Sequence, residues 1–284
     1  MPPIISDPAL SVPISGGLGI IDHFSAHQRF DASAPNDARM FDYALGGKDN
    51  YLADREAAEQ VQEALPTSLA AVLENRRFMR RAVRHLLDAG VRQFLDLGCG
   101  LPGRGNVHDL VHAADPSATV VYVDNCPVIV NHYQALLSSS SVAAAFDADV
   151  RHPRDVLTHP TTTTLIDFDR PVGIVMTSLL HHIADEDDPT GLVKTFVSAV
   201  PPGSHVVLSH YNPDGRPAED RAVAAAFATS FGIPMAERSA AAIEALFGDL
   251  VLLEPGLVEA PLWRPDRPYR EPTGWLLAGV GRKV

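Results

Sequence analysis

From residue 91 onward, short runs of apolar and β-branched residues alternate with stretches whose apolar positions recur at helical spacing. The short runs predict seven strands, at 93–97, 119–123, 142–146, 171–176, 205–209, 250–253 and 275–280. The longer stretches predict helices at 107–114, 128–137, 189–200, 218–231 and 239–247. This alternation predicts an α/β fold with a mainly parallel sheet covered on both faces. Because no helix separates the last two strands, we expect one antiparallel strand.

Residues 35–90 carry helical periodicity without strand signals, which predicts a helical cap or lid ahead of the sheet. One predicted helix starts at a cap formed by Asp49 or Asn50 and is stopped by Pro66. A second predicted helix covers 69–88.

The remaining segments lack periodicity. Residues 1–34 are rich in Pro, Gly and Ser and predict an irregular arm. This arm is either a loosely ordered tail or a segment packed on its own or a neighbouring subunit, and packing on a neighbour would make the protein a homo-oligomer. The polar runs 138–141 and 161–164 are predicted loops. Residues 91–284 form the predicted ligand-binding domain.

Composition excludes several classes of protein. The 284 residues carry a formal net charge of -12, and no basic stripe suited to nucleic-acid phosphates is present. Two cysteines are too few for a disulfide scaffold or a Cys-rich zinc site, and the histidines show no metal-ligand spacing. No apolar run is long enough to span a membrane, and no secretory signal is recognisable, so a cytoplasmic location is expected.

Polar residues end the predicted strands, and the carboxyl ends of strands are where ligands bind in open α/β sheets. The first strand ends at Asp96 and is followed by Gly98 and Gly100, which allow a sharp turn and a close approach to a ligand. The second ends at Asp124, placed to accept hydrogen bonds from ribose hydroxyls. The third ends near Asp149, with Asp147 as a competing carboxylate.

The glycine spacing Gly98-x-Gly100-x-x-Gly103 also fits a dinucleotide fingerprint. A pyrophosphate is repelled by a neighbouring anion, however, and Asp96 stands two residues before the first glycine. Pro102 further removes one N–H from the turn. The carboxylate therefore favours a ligand with an amino or sulfonium group over a nicotinamide dinucleotide.

Two resemblances follow from these residues. Asp96-Leu97-Gly98-Cys99-Gly100, Asp124 and Ala148-Asp149-Val150 resemble motifs I to III of class I S-adenosylmethionine-dependent methyltransferases. The segments 38–51, 74–78, 121–125 and 254–258 resemble a bacterial family of S-adenosyl methyltransferases long catalogued as a domain of unknown function. The resemblance implies a Rossmann-like fold, with a mainly parallel seven-stranded sheet, one antiparallel strand and an N-terminal helical cap. It also implies S-adenosylmethionine as the cofactor.

Carried onto these positions, motif I implies that the backbone at Gly98 and Gly100 lies along the methionine portion of the cofactor, with Asp96 reaching its amino group. Asp124 would hold the ribose. Independently of the resemblance, a run of arginines at helical spacing starts at Arg76. Most of this run is expected to be a solvated face, but Arg76 or its neighbour Arg77 could pair with the cofactor carboxylate.

The resemblance places Asn125 beside the adenine, with Asp149 and the Val150 N–H as its hydrogen-bonding partners. Thr177 and Ser178 fall where the fourth motif lines the methyl-transfer site. They replace the Asn/Asp-Pro-Pro-aromatic box of enzymes that methylate nucleic-acid amino groups, which disfavours that substrate class.

Four residues are candidates for contact with the methyl acceptor. His181 and His182 follow the fourth strand and could supply a general base and a substrate contact, or could cap a helix. His210 and Tyr211 end the fifth strand and are weaker candidates.

Tyr43, Asn50 and Tyr51 flank the pair Gly46-Gly47. The segment could be a lid hinged at the glycines and closing over the cofactor, or a tight turn before a helix.

These features together predict an S-adenosylmethionine-dependent methyltransferase with a small-molecule acceptor. A nicotinamide-dependent oxidoreductase and a non-catalytic S-adenosylmethionine-binding regulator are the alternatives.

Overall fold

A computed structural model describes residues 31–266 and 271–284. Residues 1–30 of the predicted arm lie outside the described residues.

Helices and strands alternate through most of the described chain. The helices are α1 (Asp37–Ala44), α2 (Leu52–Ala64), α3 (Ser68–Asp88), α4 (Val107–Ala114), α5 (Pro127–Leu136), α6 (Pro153–Thr158), α7 (Pro160–Leu165), α8 (Pro189–Ser198), α9 (Ala218–Phe231) and α10 (Ala240–Ala245). The strands are β1 (Gln93–Leu97), β2 (Thr119–Asp124), β3 (Ala143–Asp147), β4 (Gly173–Thr177), β5 (His205–Tyr211), β6 (Val251–Leu252), β7 (Val258–Glu259) and β8 (Leu276–Arg282). Short 3-10 turns occur at Leu180–His182, Asp185–Asp187 and Ala260–Leu262.

The strands form one mixed sheet in the order β3-β2-β1-β4-β5-β8-β6, with β7 also paired to β8. Strands β1 to β5 are parallel, and β8 runs antiparallel to β5, β6 and β7. The predicted α/β sheet with one antiparallel strand is confirmed. The sheet has eight described strands instead of seven because the two-residue β7 is too short to leave a periodic signal.

Alternating side chains on the buried strands build a core on each face of the sheet. On β1, Phe94 points into the core that α3 covers, whereas Leu95 and Leu97 point into the opposite core. All five residues of β1 are buried, and its sequence is apolar except at Gln93, where the strand begins, and at Asp96. Asp96 thus stands out as a carboxylate inside a buried strand.

The predicted helical region before the sheet contains three helices. Its last helix, α3, buries Phe78 and Leu86 in the core, and Arg81 donates hydrogen bonds to the backbone carbonyls of Ala260 and Trp263. These contacts press α3 against the sheet, with its N-terminal half reaching the carboxyl ends of the strands.

Two local expectations are wrong. The run 161–164 lies in helix α7, where Pro160 occupies the first turn and His159 Nδ1 accepts the Thr161 N–H. Helix α2 starts after Tyr51 instead of Asp49 or Asn50, because the Asp54 carboxylate accepts the Tyr51 N–H in a capping box. The predicted loop at 138–141 is confirmed.

Candidate active site

The strand order reverses between β1 and β4, and a cavity of about 1660 Å³ opens there at the carboxyl ends of the strands. Such a switch point is the usual ligand site of an open α/β sheet. The cavity is enclosed by the loop after β1, the ends of β2, β3 and β4, helix α1 with the glycine pair after it, and the segment that follows α9.

The loop after β1 forms the floor of the cavity. Gly98 and Gly100 have φ of 63° and 61°, a conformation that residues with a side chain rarely adopt. A Cβ added to Gly98 would lie 2.5 Å from Leu179 Cδ1, so the loop tolerates no side chain there. At Gly100 an added Cβ would meet nothing within 4 Å, so the open side of this glycine can take a ligand.

Asp124 stands at the end of β2 and faces the cavity. Its Oδ2 accepts the Gly100 N–H at 3.1 Å, and its Oδ1 accepts the Cys126 N–H at 3.0 Å. Burial raises the pKa of Asp124 above its usual value, although these backbone hydrogen bonds act in the opposite direction. The Cys99 thiol also lies 4.0 Å from Oδ2, so the loops after β1 and β2 together hold the carboxylate in place.

Asp96 and Arg76 lie beneath and beside the glycine loop. Asp96 is buried and does not line the cavity; burial raises its pKa to about 7, against the lowering effect of Arg76. Arg76 lines the cavity, and its Nη2 donates to Asn106 Oδ1 at 2.9 Å. Its Nε is buried without a hydrogen-bond partner and is closed to the cavity, so it is the charge of the guanidinium that Arg76 can offer to an anionic group there.

The ends of β2 and β3 supply another wall, where Asn125, Asp149 and Val150 all line the cavity. Arg151 donates hydrogen bonds to the Asp149 carboxylate from its backbone N–H, Nε and Nη2. Burial would raise the pKa of Asp149, but the bonds from Arg151 outweigh it and lower the pKa. The competing carboxylate, Asp147, is exposed and also lines the cavity.

The end of β4 contributes Thr177 and Ser178 to the cavity wall. Asn75 on α3 connects this wall to β5 by bonding Ser178 and Ser209. The segment 74–78 carried a family resemblance, but the sequence assigned no role to Asn75 or Ser209. A connection between residues so far apart in the chain leaves no local pattern.

His182 lines the cavity, and both of its ring nitrogens are occupied. Nδ1 donates to the Pro234 carbonyl at 2.8 Å, and Nε2 lies 3.2 Å from Asp37 Oδ2. Burial alone would lower the pKa of His182, but the hydrogen bond and charge of Asp37 raise it above 6.5. Sequence reasoning missed Asp37, which lies in helix α1, within the predicted helical region but outside the two helices predicted there.

His181, His210 and Tyr211 do not line the cavity. His181 is buried and accepts the Tyr211 N–H on Nδ1, and burial lowers its pKa well below 6.5. The pKa of His210 is lowered to about 4, also mainly by burial, and its Nε2 faces Arg238 at 2.8 Å. These three side chains are packed behind the cavity wall and do not reach the cavity.

The segment at the glycine pair forms part of the cavity wall. Gly46, Gly47, Lys48 and Asp49 line it, whereas the predicted lid side chains Tyr43, Asn50 and Tyr51 do not. Asp42 anchors the segment, since its Oδ2 accepts the Asp49 N–H and the Asn50 Nδ2, each within 2.8 Å.

Within residues 31–266 and 271–284, no group of three or more His, Cys, Asp or Glu is arranged to hold a metal ion. No helix in this part of the chain is both long and apolar enough to cross a membrane.

Known proteins resemble the chain along most of its length. The profile of the S-adenosyl methyltransferase family matches residues 23–284. A crystal structure described as a candidate methyltransferase from Thermobifida fusca YX is 38% identical, with a TM-score of 0.83, and covers 89% of this chain and 96% of its own. A DUF574 family protein from Streptomyces avermitilis MA-4680 is 34% identical, with a TM-score of 0.84, and covers 89% of this chain and 99% of its own. A search of curated proteins found no match.

The match over nearly the whole chain agrees with the sheet order, the glycine loop and the strand-end carboxylates. The oxidoreductase alternative is therefore set aside. The chain belongs to the S-adenosyl methyltransferase family, and it is a methyltransferase of Rossmann-like fold whose cofactor is S-adenosylmethionine.

Proposed function

We propose that this protein transfers a methyl group to a small apolar or aromatic acceptor that binds in the same cavity as the cofactor. The observation that carries the proposal is the size and continuity of that cavity. Pockets for one small ligand usually measure about 300–1,000 Å³. The cavity of about 1660 Å³ reaches from Asp124 to His182 and so has room for two ligands.

The residues of the floor fit the cofactor. Asp124 is placed to accept hydrogen bonds from the ribose hydroxyls, and the backbone from Gly98 to Gly100, which is open at Gly100, suits the methionine portion. The guanidinium of Arg76, which lines the cavity, suits its carboxylate. Asp96 would act from beneath the loop, where its charge favours the cofactor amino group.

The adenine site is proposed at the ends of β2 and β3. Asn125 lies beside it, and the Val150 N–H is its proposed donor. A carboxylate offers about four acceptor positions, and Arg151 occupies several of those on Asp149. Asp149 would accept a hydrogen bond from the adenine amino group at a remaining position. Thr177 is proposed to line the methyl-transfer point between cofactor and acceptor.

The acceptor side of the cavity carries a group of apolar residues beside the polar pair His182 and Asp37. Phe41 of α1, Leu179 and Ile183 after β4, and Phe231 and Ile233 at the end of α9 all line it. An apolar wall with few polar groups suits a hydrophobic or aromatic acceptor. The net charge of -12 further disfavours a nucleic-acid substrate.

Bound S-adenosylmethionine supplies an already activated methyl group. The protein therefore has to align the acceptor and exclude water, and it needs a base only if the acceptor arrives protonated. His182 faces the acceptor, but Pro234 and Asp37 occupy both of its nitrogens and favour its protonated form. We infer that transfer proceeds by alignment, with His182 holding the wall instead of removing a proton.

Calorimetric titration tests the cofactor half of the proposal. S-adenosylhomocysteine should bind at micromolar levels, on the order of -8 kcal/mol, with no comparable heat from NAD. A mass-spectrometric screen of hydroxylated aromatic and polar aliphatic compounds with S-adenosylmethionine then tests the acceptor half. Methylation confined to polar aliphatic compounds would contradict the proposed acceptor class.

A further inference from the structure

Three buried or half-buried residues close a ring of hydrogen bonds beside the glycine loop. Asn75 Nδ2 donates to Ser178 Oγ at 2.7 Å, and Ser209 Oγ donates to Asn75 Oδ1 at 2.6 Å. The Ser178 N–H completes the ring by donating to Ser209 Oγ at 3.0 Å. Helix α3 is thereby fastened to the ends of both β4 and β5.

The ring holds Ser178 in an unusual backbone conformation. Its φ of 54° lies in the left-handed region, which residues other than glycine avoid unless their surroundings fix them there. The next residue, Leu179, packs against Gly98 closely enough to exclude a Cβ from that glycine. The Ser178 turn therefore sits directly beside the floor of the cavity.

The Ser178 hydroxyl retains an unused donor. Its oxygen accepts from Asn75, and no residue in the described part of the chain accepts its hydrogen. Ser178 lines the cavity, so this O–H is available to a bound molecule. Arg76, the neighbour of Asn75 on α3, also lines the cavity and brings its guanidinium charge there. Of these two adjacent residues of α3, Arg76 can itself donate to a ligand, and Asn75 positions the Ser178 hydroxyl.

We propose that the Ser178 hydroxyl donates a hydrogen bond to the carboxylate at the methionine end of the cofactor, and that Asn75 is the residue that positions it. The inference rests on the proposed cofactor site, since Gly98 would lie along the same end of the ligand. Two donors from separate segments, Ser178 and Arg76, match the two oxygens of a carboxylate.

Two ligands separate this role from general structural support. S-adenosylhomocysteine carries the amino-acid end, whereas 5′-methylthioadenosine lacks it and keeps the adenine, ribose and sulfur. Ser178→Ala removes the hydroxyl but keeps the Cβ, so the backbone strain is unchanged. We expect calorimetry to show S-adenosylhomocysteine binding weakened by about tenfold, as for one charge-assisted hydrogen bond, with 5′-methylthioadenosine binding unchanged. Ser198→Ala, on the exposed side of α8, is the matched control and should change neither affinity.

Asn75→Ala tests the positioning role. It should also weaken S-adenosylhomocysteine selectively, and the double variant Asn75→Ala/Ser178→Ala should bind no more weakly than Asn75→Ala, because both changes remove the same bond to the ligand. Additive losses would show that Asn75 does not act through Ser178. If Asn75→Ala does not fold, Ser178→Ala decides the donor role without it.

The outcomes distinguish this inference from the proposed function. If Asp124→Ala weakens S-adenosylhomocysteine binding but Ser178→Ala does not, the inference is overturned and the proposed cofactor site is retained. Equal losses for both ligands would also overturn it. A wild-type protein that bound neither ligand would instead overturn the proposed function.

Discussion

His182 meets Asp37 across the mouth of the cavity, with Nε2 and Oδ2 separated by 3.2 Å. On its other side, the same ring donates from Nδ1 to the Pro234 carbonyl. One side chain thus joins the turn after β4, the start of α1 and the segment after α9. Because a carbonyl and a carboxylate both accept, only the imidazolium form satisfies both contacts.

The first prediction concerns the pH dependence of stability. The pKa of His182 is higher in the folded protein than its value of 6.5 in the unfolded chain. Its contacts therefore stabilise the fold fully below pH 6.5, and this contribution is lost as the pH rises through the pKa of the folded protein. His182→Gln should therefore lower the melting temperature most at acidic pH. For a partly exposed pair we expect about 1 kcal/mol, or about 2–4 °C.

Thermal melts of wild type and His182→Gln across neutral pH would measure this difference. Asp37→Asn is the matched variant, because it removes the partner and should remove the same pH-dependent part of the stability. A difference that grew with rising pH would show that the neutral ring is the stabilising form, and would restore His182 as a candidate base.

The second prediction concerns Asp96. Its pKa is raised from 3.8 to about 7, so the folded protein favours the neutral carboxyl. The stability that the fold has below pH 3.8, where Asp96 is neutral in both states, is lost as the pH rises through about 7. Asp96→Asn removes the buried charge and should raise the melting temperature of the ligand-free protein at pH above 7. The shift corresponds to at most about 4 kcal/mol.

Melts of Asp96→Asn at acidic and alkaline pH would measure the effect, with the exposed Asp147→Asn as control. At acidic pH wild-type Asp96 is already neutral, and the two proteins should melt alike. An equal gain at both pH values would mean that the charge of Asp96 is not the cause.

The third prediction compares two carboxylates at paired strand ends. Asp124 and Asp147 are register partners on β2 and β3, but only Asp124 is buried and bonded to the glycine loop. Each ribose hydroxyl bonded to a carboxylate is worth about 1.5–3 kcal/mol. Asp124→Ala should weaken S-adenosylhomocysteine binding by at least about tenfold.

Calorimetry with both alanine variants would measure this difference, and Asp147→Ala should leave the affinity unchanged. Equal losses in the two variants would instead indicate a general effect of charge at this end of the sheet.

The sequence locates several residues that line the floor of the cavity but few that line its acceptor side, for a physical reason. Asp124 and the glycines occupy strand ends, where a short apolar run and one polar residue give a local signal. His181 and His182 look equivalent in sequence, but a 3-10 turn sends one ring into the core and the other to the cavity. Asp37, the partner of His182, is 145 positions away in the chain, and no periodic pattern records such a contact.

The fourth prediction concerns the segment 43–51. Its backbone at Gly46 to Asp49 lines the cavity, so a bound cofactor should hold it in place. Hydrogen exchange of this segment should slow by about tenfold or more with S-adenosylhomocysteine. Exchange in α8, which does not line the cavity, is the internal control.

The same exchange experiment on the Gly47→Ala variant provides a comparison. Its Cβ would fall 1.9 Å from Asp42 Oδ1 and displace the segment, so the ligand-induced slowing should shrink. The same exchange rates with and without ligand in the wild-type protein would favour a plain turn over a lid.

The fifth prediction tests the central claim, that the cavity between the strand ends and α1 is the cofactor site. A crystal structure with S-adenosylhomocysteine answers it most directly. We predict ligand density along Gly98 and Gly100, with both ribose hydroxyls within hydrogen-bond distance of the Asp124 carboxylate. Density elsewhere on the protein, or a ribose held without Asp124, would contradict the account.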